Sequence, residues 1–175
     1  MSDPRLQTIR ETIRDIPDFP KPGILFRDIT PVLASPATLK LTIDLLAERY
    51  AAEHLDQIVA VESRGFIFGA PLSLALDVGL HLVRKPGKLP AAVDEVSYDL
   101  EYGNNKLQIH KGELKAGGKT LVIDDLLATG GTAGAAVQLI EKQGATIHEC
   151  AFIIELSGLD GRKNVGAACH ALLAL

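Results

Sequence analysis

The chain is poor in cysteine, in excess positive charge and in long apolar runs. Cys150 and Cys169 are its only cysteines, too few for a disulfide framework and without the paired spacing of a metal site. A reducing, cytoplasmic setting is therefore expected. Lys and Arg number 18 against 22 Asp and Glu, a net charge of −4. That balance argues against general nucleic-acid binding, where a basic field supplies most of the affinity. It leaves room for a small anion in a local basic pocket. No run of about 18 apolar residues is present to span a membrane, and no apolar core follows the charged segment Met1–Arg10, so no secretory signal is expected. Internal repeats and low-complexity tracts are absent.

What is present is an ordinary globular composition, 47% hydrophobic and 23% charged over 175 residues. One domain covering 1–175 is expected at this length. Ser2-Asp3-Pro4 is a helix-start signal, and Leu6, Ile9, Ile13 and Ile16 recur at helical spacing until Pro17, Pro20, Pro22 and Gly23 break the pattern. An oddly apolar connector, Ile24 to Ile29, follows. Ser35-Pro36 repeats the start signal, with Leu39, Ile43, Leu46 and Tyr50 on one face.

From there, short apolar strands alternate with helices. Strands are expected at Ile58–Val61, near Leu80–Arg84, at Thr120–Ile123 and at Cys150–Leu156. Helices are expected near Gly69–Leu76 and from Ala133 to Gln143, the second stopped by Gly144. Continuously apolar strands interleaved with helices predict an α/β fold, a parallel sheet flanked by helices. In such sheets ligands bind beyond the carboxyl ends of the strands. Tyr98, Leu100 and Tyr102 alternate, Gly103–Lys106 reads as a turn, and Leu107 and Ile109 resume the alternation. This predicts an inserted antiparallel hairpin, a lid within 86–113.

The strongest chemical signal is Leu121-Val122-Ile123-Asp124-Asp125-Leu126-Leu127-Ala128-Thr129-Gly130-Gly131-Thr132. A buried strand ends in two carboxylates, and a loop of small residues then enters a helix. Gly130 and Gly131 let the backbone approach a ligand closely. Thr129 and Thr132 add hydroxyls, and the helix N-terminus favours a phosphate. Asp124 and Asp125 do not suit an anion; they suit sugar hydroxyls or a divalent cation bridging to phosphate. Phosphate, diol and metal together describe a ribose phosphate. The plainer alternative is a capped βα turn with a solvated Asp pair.

This string resembles the sugar-diphosphate signature of the type I phosphoribosyltransferase family, in the form its adenine-using members carry. Phe19–Thr30, Glu62-Ser63-Arg64-Gly65-Phe66, Arg84–Pro90 and Ser97–Gly103 extend the likeness from Phe19 to Leu156. The resemblance implies a base-binding hood within 1–34 and transfer of a phosphoribosyl group from 5-phospho-α-D-ribose 1-diphosphate to adenine, giving AMP and pyrophosphate. It also implies Mg carried by the sugar diphosphate, small-molecule substrates, and a homodimer.

The same resemblance distributes roles along the chain. Ser63, Arg64 and Gly65 would form the pyrophosphate turn, with a cis peptide at Glu62–Ser63; a capped βα turn with an exposed Arg64 is the plainer alternative. Arg84, Lys85 and Lys88 would neutralise pyrophosphate, although a basic run is otherwise a solvated loop. Asp124, Asp125 and Ala128 through Thr132 would hold the ribose phosphate. Phe26 would stack on adenine while backbone groups of Leu25 and Arg27 read its edge; core packing is the alternative. Glu101 on the lid would manage a proton on the base, and Tyr102 would pack against the ligand. Three motif-like stretches carry nothing. Gly112–Thr120 is one residue too long for a Walker A loop and precedes a strand. Val61–Gly65 lacks the first glycine of a nucleophile elbow. The histidines show no metalloprotease spacing.

Overall fold

The computed structural model describes residues 3–100 and 103–175. They group into two compact units, Met1–Arg49 and Tyr50–Leu175.

In the first unit, helix α1 covers Pro4–Thr12, with the Asp3 side chain accepting from the Arg5 backbone N–H and Pro4 opening the first turn. The helical spacing of Ile13 and Ile16 misleads. The helix stops at Thr12, and Arg14–Pro17 is strand β1, paired antiparallel with β2, Leu25–Asp28. The expected apolar connector is thus a strand. Its apolar residues do not form a core either, since Ile24 and Leu25 are exposed while Ile29 is buried. Helix α2 spans Thr30–Ala34 and α3 Pro36–Tyr50, with Ile43 and Leu46 buried as the periodicity requires.

The second unit is built on a five-stranded parallel sheet in the order β4-β3-β7-β8-β9. The strands are β3 Gln57–Val61, β4 Gly79–Val83, β7 Lys119–Leu127, β8 Thr146–Glu155 and β9 Cys169–Ala174. β9 was not signalled by the sequence. The hairpin strands β5, Val93–Leu100, and β6, Gly103–His110, form a separate antiparallel pair. Gly103–Lys106, expected as the turn, belongs to β6.

Helix α4, Gly65–Leu76, begins four residues before the predicted start, and α5 covers Gly131–Lys142. Alternation along the strands puts the two helices on opposite faces. Gly69 of α4 lies against Ala60 and Ile123. The cluster around Ala133, Ala136 and Ile140 of α5 takes the other set, Val59, Val61 and Val122. Leu107 and Ile109 of the hairpin join that second cluster. Arg84 and Gln108 exchange backbone hydrogen bonds of 2.8 and 2.7 Å, which fastens β6 beside the end of β4. Gly144 stops α5 with a positive φ of 79°, its N–H bonded to Glu141. No helix among the described residues is long and apolar enough to cross a membrane.

Candidate active site

Beyond the carboxyl ends of β3 and β7 lies a cavity of about 350 Å³, open on one side. Two loops from separate strands meet there. The first is Glu62-Ser63-Arg64, between β3 and α4, with a cis Glu62–Ser63 peptide. Gly65 then starts α4 so close to β7 that a Cβ would fall 2.6 Å from the Ile123 carbonyl oxygen. The second is Ala128–Gly130, and with the end of β7 and the start of α5 it brings all of Asp124 to Ala133 to the cavity wall. Every residue expected to hold the ribose phosphate, Asp124, Asp125 and Ala128 through Thr132, lines the cavity. Gly130 takes φ 84° at the N-cap of α5, a conformation open to glycine.

The two loops are joined by an ion pair, Arg64 Nε to Asp125 Oδ2 at 2.6 Å. Asp124 keeps part of its surface open to the cavity while protein surrounds it closely. Burial first, and the Asp125 charge second, push its carboxyl well above the usual range. The Asp125 N–H donates to Asp124 Oδ1 at 2.8 Å. Among the described residues no cluster of three or more acidic, His or Cys side chains could hold a metal. Two adjacent carboxylates do suit a hard cation that takes its remaining oxygens from water and substrate phosphates.

The basic run divides. Lys85 lines the cavity; Arg84 and Lys88 do not. Arg84 donates from Nε to Glu62 Oε2 at 3.2 Å and from Nη1 to the Lys88 carbonyl at 3.1 Å, and its guanidinium sits 5.8 Å above the Phe66 ring centre. The Lys85 N–H donates to the same Glu62 oxygen at 2.9 Å. Burial opposes ionisation of Glu62, but these donors outweigh it and hold its carboxyl below the usual range. Glu62, given no role from the sequence, is the anchor of the basic loop.

The hairpin contributes Tyr98, Asn105 and Leu107 to the cavity wall. The Tyr98 hydroxyl lies 3.2 Å from Thr132 Oγ1. Tyr98 is given no role from the sequence, although it alternates with Leu100 and Tyr102 there. Glu101 and Tyr102 lie outside the described residues.

In the first unit, Leu25 is exposed and Phe26 half-buried, its ring edge-on to Phe19 with centres 5.2 Å apart. The Arg27 guanidinium pairs with Asp15 at 2.5 Å. That contact holds the Asp15 carboxyl low.

Comparison with known proteins places the chain in a family. Residues 28–168 match the phosphoribosyl transferase domain. The adenine phosphoribosyltransferase of Gloeobacter violaceus is 56% identical over 168 residues, 95% of this chain and 98% of that protein. That of Sorangium cellulosum is 55% identical over 161 residues, 92% and 80% of the two chains. The crystal structure of adenine phosphoribosyltransferase from Thermoanaerobacter pseudethanolicus superposes with a TM-score of 0.93 at 46% identity, covering 97% of this chain and 99% of that one. The Saccharomyces cerevisiae enzyme, solved with an imino-altritol bisphosphate and adenine, gives a TM-score of 0.92 at 39% identity over 97% and 99%. With sequence, relatives and folded frame in agreement, this chain belongs to the phosphoribosyl transferase family, among the adenine phosphoribosyltransferases.

Proposed function

We propose that the protein transfers the 5-phosphoribosyl group of 5-phospho-α-D-ribose 1-diphosphate to adenine, giving AMP and pyrophosphate in purine salvage. The observation that carries this reading is the shared cavity. A glycine-rich loop at a helix N-terminus, an Asp pair, the Ser63–Arg64 turn and Lys85 all line one volume.

The α5 N-terminus with Thr129 and Thr132 suits the 5-phosphate. Asp124 and Asp125 suit the ribose hydroxyls. Ser63, Arg64 and Lys85 suit the diphosphate, with Arg84 and Lys88 shaping the loop that presents Lys85. Adenine would be taken by Leu25, Phe26 and Arg27, the ring by Phe26 and the base edge by backbone groups. The exocyclic amine distinguishes adenine from a 6-oxo purine, which would leave such groups unpaired. Displacement at the anomeric carbon passes through an oxocarbenium-like state, for which the protein supplies placement and charge rather than a nucleophile. Mg²⁺ carried by the sugar diphosphate, beside Asp124 and Asp125, would stabilise the leaving pyrophosphate. Glu101 is assigned the proton on the base, Tyr102 packing against the ligand, and the hairpin the exclusion of water.

A homodimer is part of this reading. Ile67, Ala70 and Leu74 form an exposed apolar stripe on α4, Leu74 being 82% exposed, and a second copy of the chain is the proposed cover. The two thiols, Cys150 and Cys169, are free and suit the cytoplasm.

Pyrophosphate release tests the chemistry. It should require adenine, the sugar diphosphate and Mg²⁺ together, and fall steeply when Asp124→Asn and Asp125→Asn are combined. An unchanged kcat/KM in that double variant contradicts the roles given to the pair.

A further inference from the structure

We infer that the short 3-10 segment Gly161–Asn164, which lies outside the cavity, positions the phosphate loop, and that Asn164 and Arg162 are its positioning residues. The inference rests on the reading of Ala128–Thr132 as the phosphate site.

Backbone meets backbone here without side chains between. A Cβ on Gly130 would fall 2.1 Å from the Gly161 carbonyl oxygen, and one on Gly161 would fall 2.1 Å from the Ala128 carbonyl oxygen. Neither glycine can be replaced without moving the loop. The first turn of α5 is held the same way, a Cβ on Gly134 falling 2.3 Å from the Asn164 carbonyl oxygen.

Asn164 adds direction to this contact. Its Nδ2 donates to the Thr129 carbonyl at 2.8 Å. The Thr129–Gly130 peptide is planar, and in a trans peptide C=O and N–H point opposite ways. Holding that carbonyl toward the Asn164 amide turns the Gly130 N–H away from that amide. Thr129 and Gly130 line the cavity and residues 161–164 do not. The side-chain amide thus aims a backbone donor at the phosphate position.

The segment is itself anchored. Arg162 grips Glu155, at the end of β8, through Nε at 2.7 Å and Nη2 at 2.5 Å, and donates from Nη1 to the Cys169 carbonyl of β9 at 2.6 Å. Glu155 is buried, and the Arg162 guanidinium holds its carboxyl below the usual range. The fork ties the segment to two sheet strands, a geometry an ammonium group cannot reproduce.

Titration calorimetry with ribose 5-phosphate, alongside KM values for both substrates, tests this. Asn164→Ala should weaken ribose 5-phosphate binding about three- to tenfold, the size of one net hydrogen bond. Asn164→Asp, which sets a carboxylate against the Thr129 carbonyl, should weaken it further, and Asn164→Gln should recover part of the loss. Arg162→Lys should behave like Asn164→Ala. The KM for the sugar diphosphate should rise in step while that for adenine stays within about twofold. A purely structural role would lower the melting temperature and leave the binding constant alone. If the wild type binds and all four variants bind equally well, this inference falls while the phosphate-loop reading stands. If the wild type does not bind ribose 5-phosphate, both fall.

Discussion

Arg64 and Asp125 face each other across 2.6 Å, the guanidinium half exposed and the carboxylate 6% exposed. The cation assigned to the diphosphate thus pairs with a carboxylate assigned to the ribose. The pair fixes both loops at a set spacing and spares Asp125 an uncompensated buried charge. One Arg64 nitrogen is engaged there, and the guanidinium keeps others for an anion.

Arg64→Gln should therefore act twice. Losing a charge-assisted hydrogen bond to the diphosphate should lower kcat/KM for the sugar diphosphate by roughly 10- to 100-fold. Leaving Asp125 unpaired should also lower the melting temperature by a few degrees. Initial rates and calorimetry on one preparation check both.

Asp124→Asn should separate stability from function. The folded protein raises the Asp124 carboxyl above its unfolded value, so its stabilising contribution is present in acid and lost as pH rises through the raised value. At neutral pH, well above the unfolded value, the upward shift is a net cost to stability. The variant should melt higher than wild type at pH 7, with the gap closing toward pH 4, while activity falls. Melting curves across that range decide it.

Glu62→Gln should show the opposite pH signature. The Lys85 N–H and Arg84 hold this carboxyl below its ordinary value of 4.5, so its contribution is present above that value and lost as pH falls through the depressed one. The variant should be less stable than wild type near neutrality, and the two should converge in acid. The KM for the sugar diphosphate should rise because Lys85 loses its anchor.

Glu101→Gln should lower turnover more than it raises the adenine KM. Steady-state kinetics with adenine varied at saturating sugar diphosphate gives the split; unaffected turnover would return Glu101 to an ordinary exposed lid residue.

Leu74→Glu should disrupt the proposed dimer by setting a charge into the α4 stripe. Sedimentation velocity should show the wild type as a dimer and the variant shifted toward monomer. A monomeric wild type would contradict the proposal.

The sequence made the central frame legible because buried parallel strands such as Ile58–Val61 and Thr120–Ile123 are continuously apolar, and because Gly130-Gly131-Thr132 marks a loop entering a helix. It misled where local pattern and pairing compete. Ile16 keeps helical spacing yet pairs with Phe26 in a hairpin. Gly103–Lys106 has turn composition yet pairs with Ser97–Leu100. It was silent where a residue acts through long-range contact. Nothing around Asn164 advertises its bond to Thr129, 35 residues away, and nothing in Glu62 shows that it will gather Arg84 and Lys85.

The most direct measurement is AMP formation by the purified protein from 5-phospho-α-D-ribose 1-diphosphate and Mg²⁺, with adenine, hypoxanthine, guanine and xanthine offered in parallel. Nucleotide formed from adenine alone is the predicted result. Nucleotide formed only from another base would contradict the adenine assignment, and no turnover by folded protein that still binds the sugar diphosphate would contradict the assignment as an enzyme.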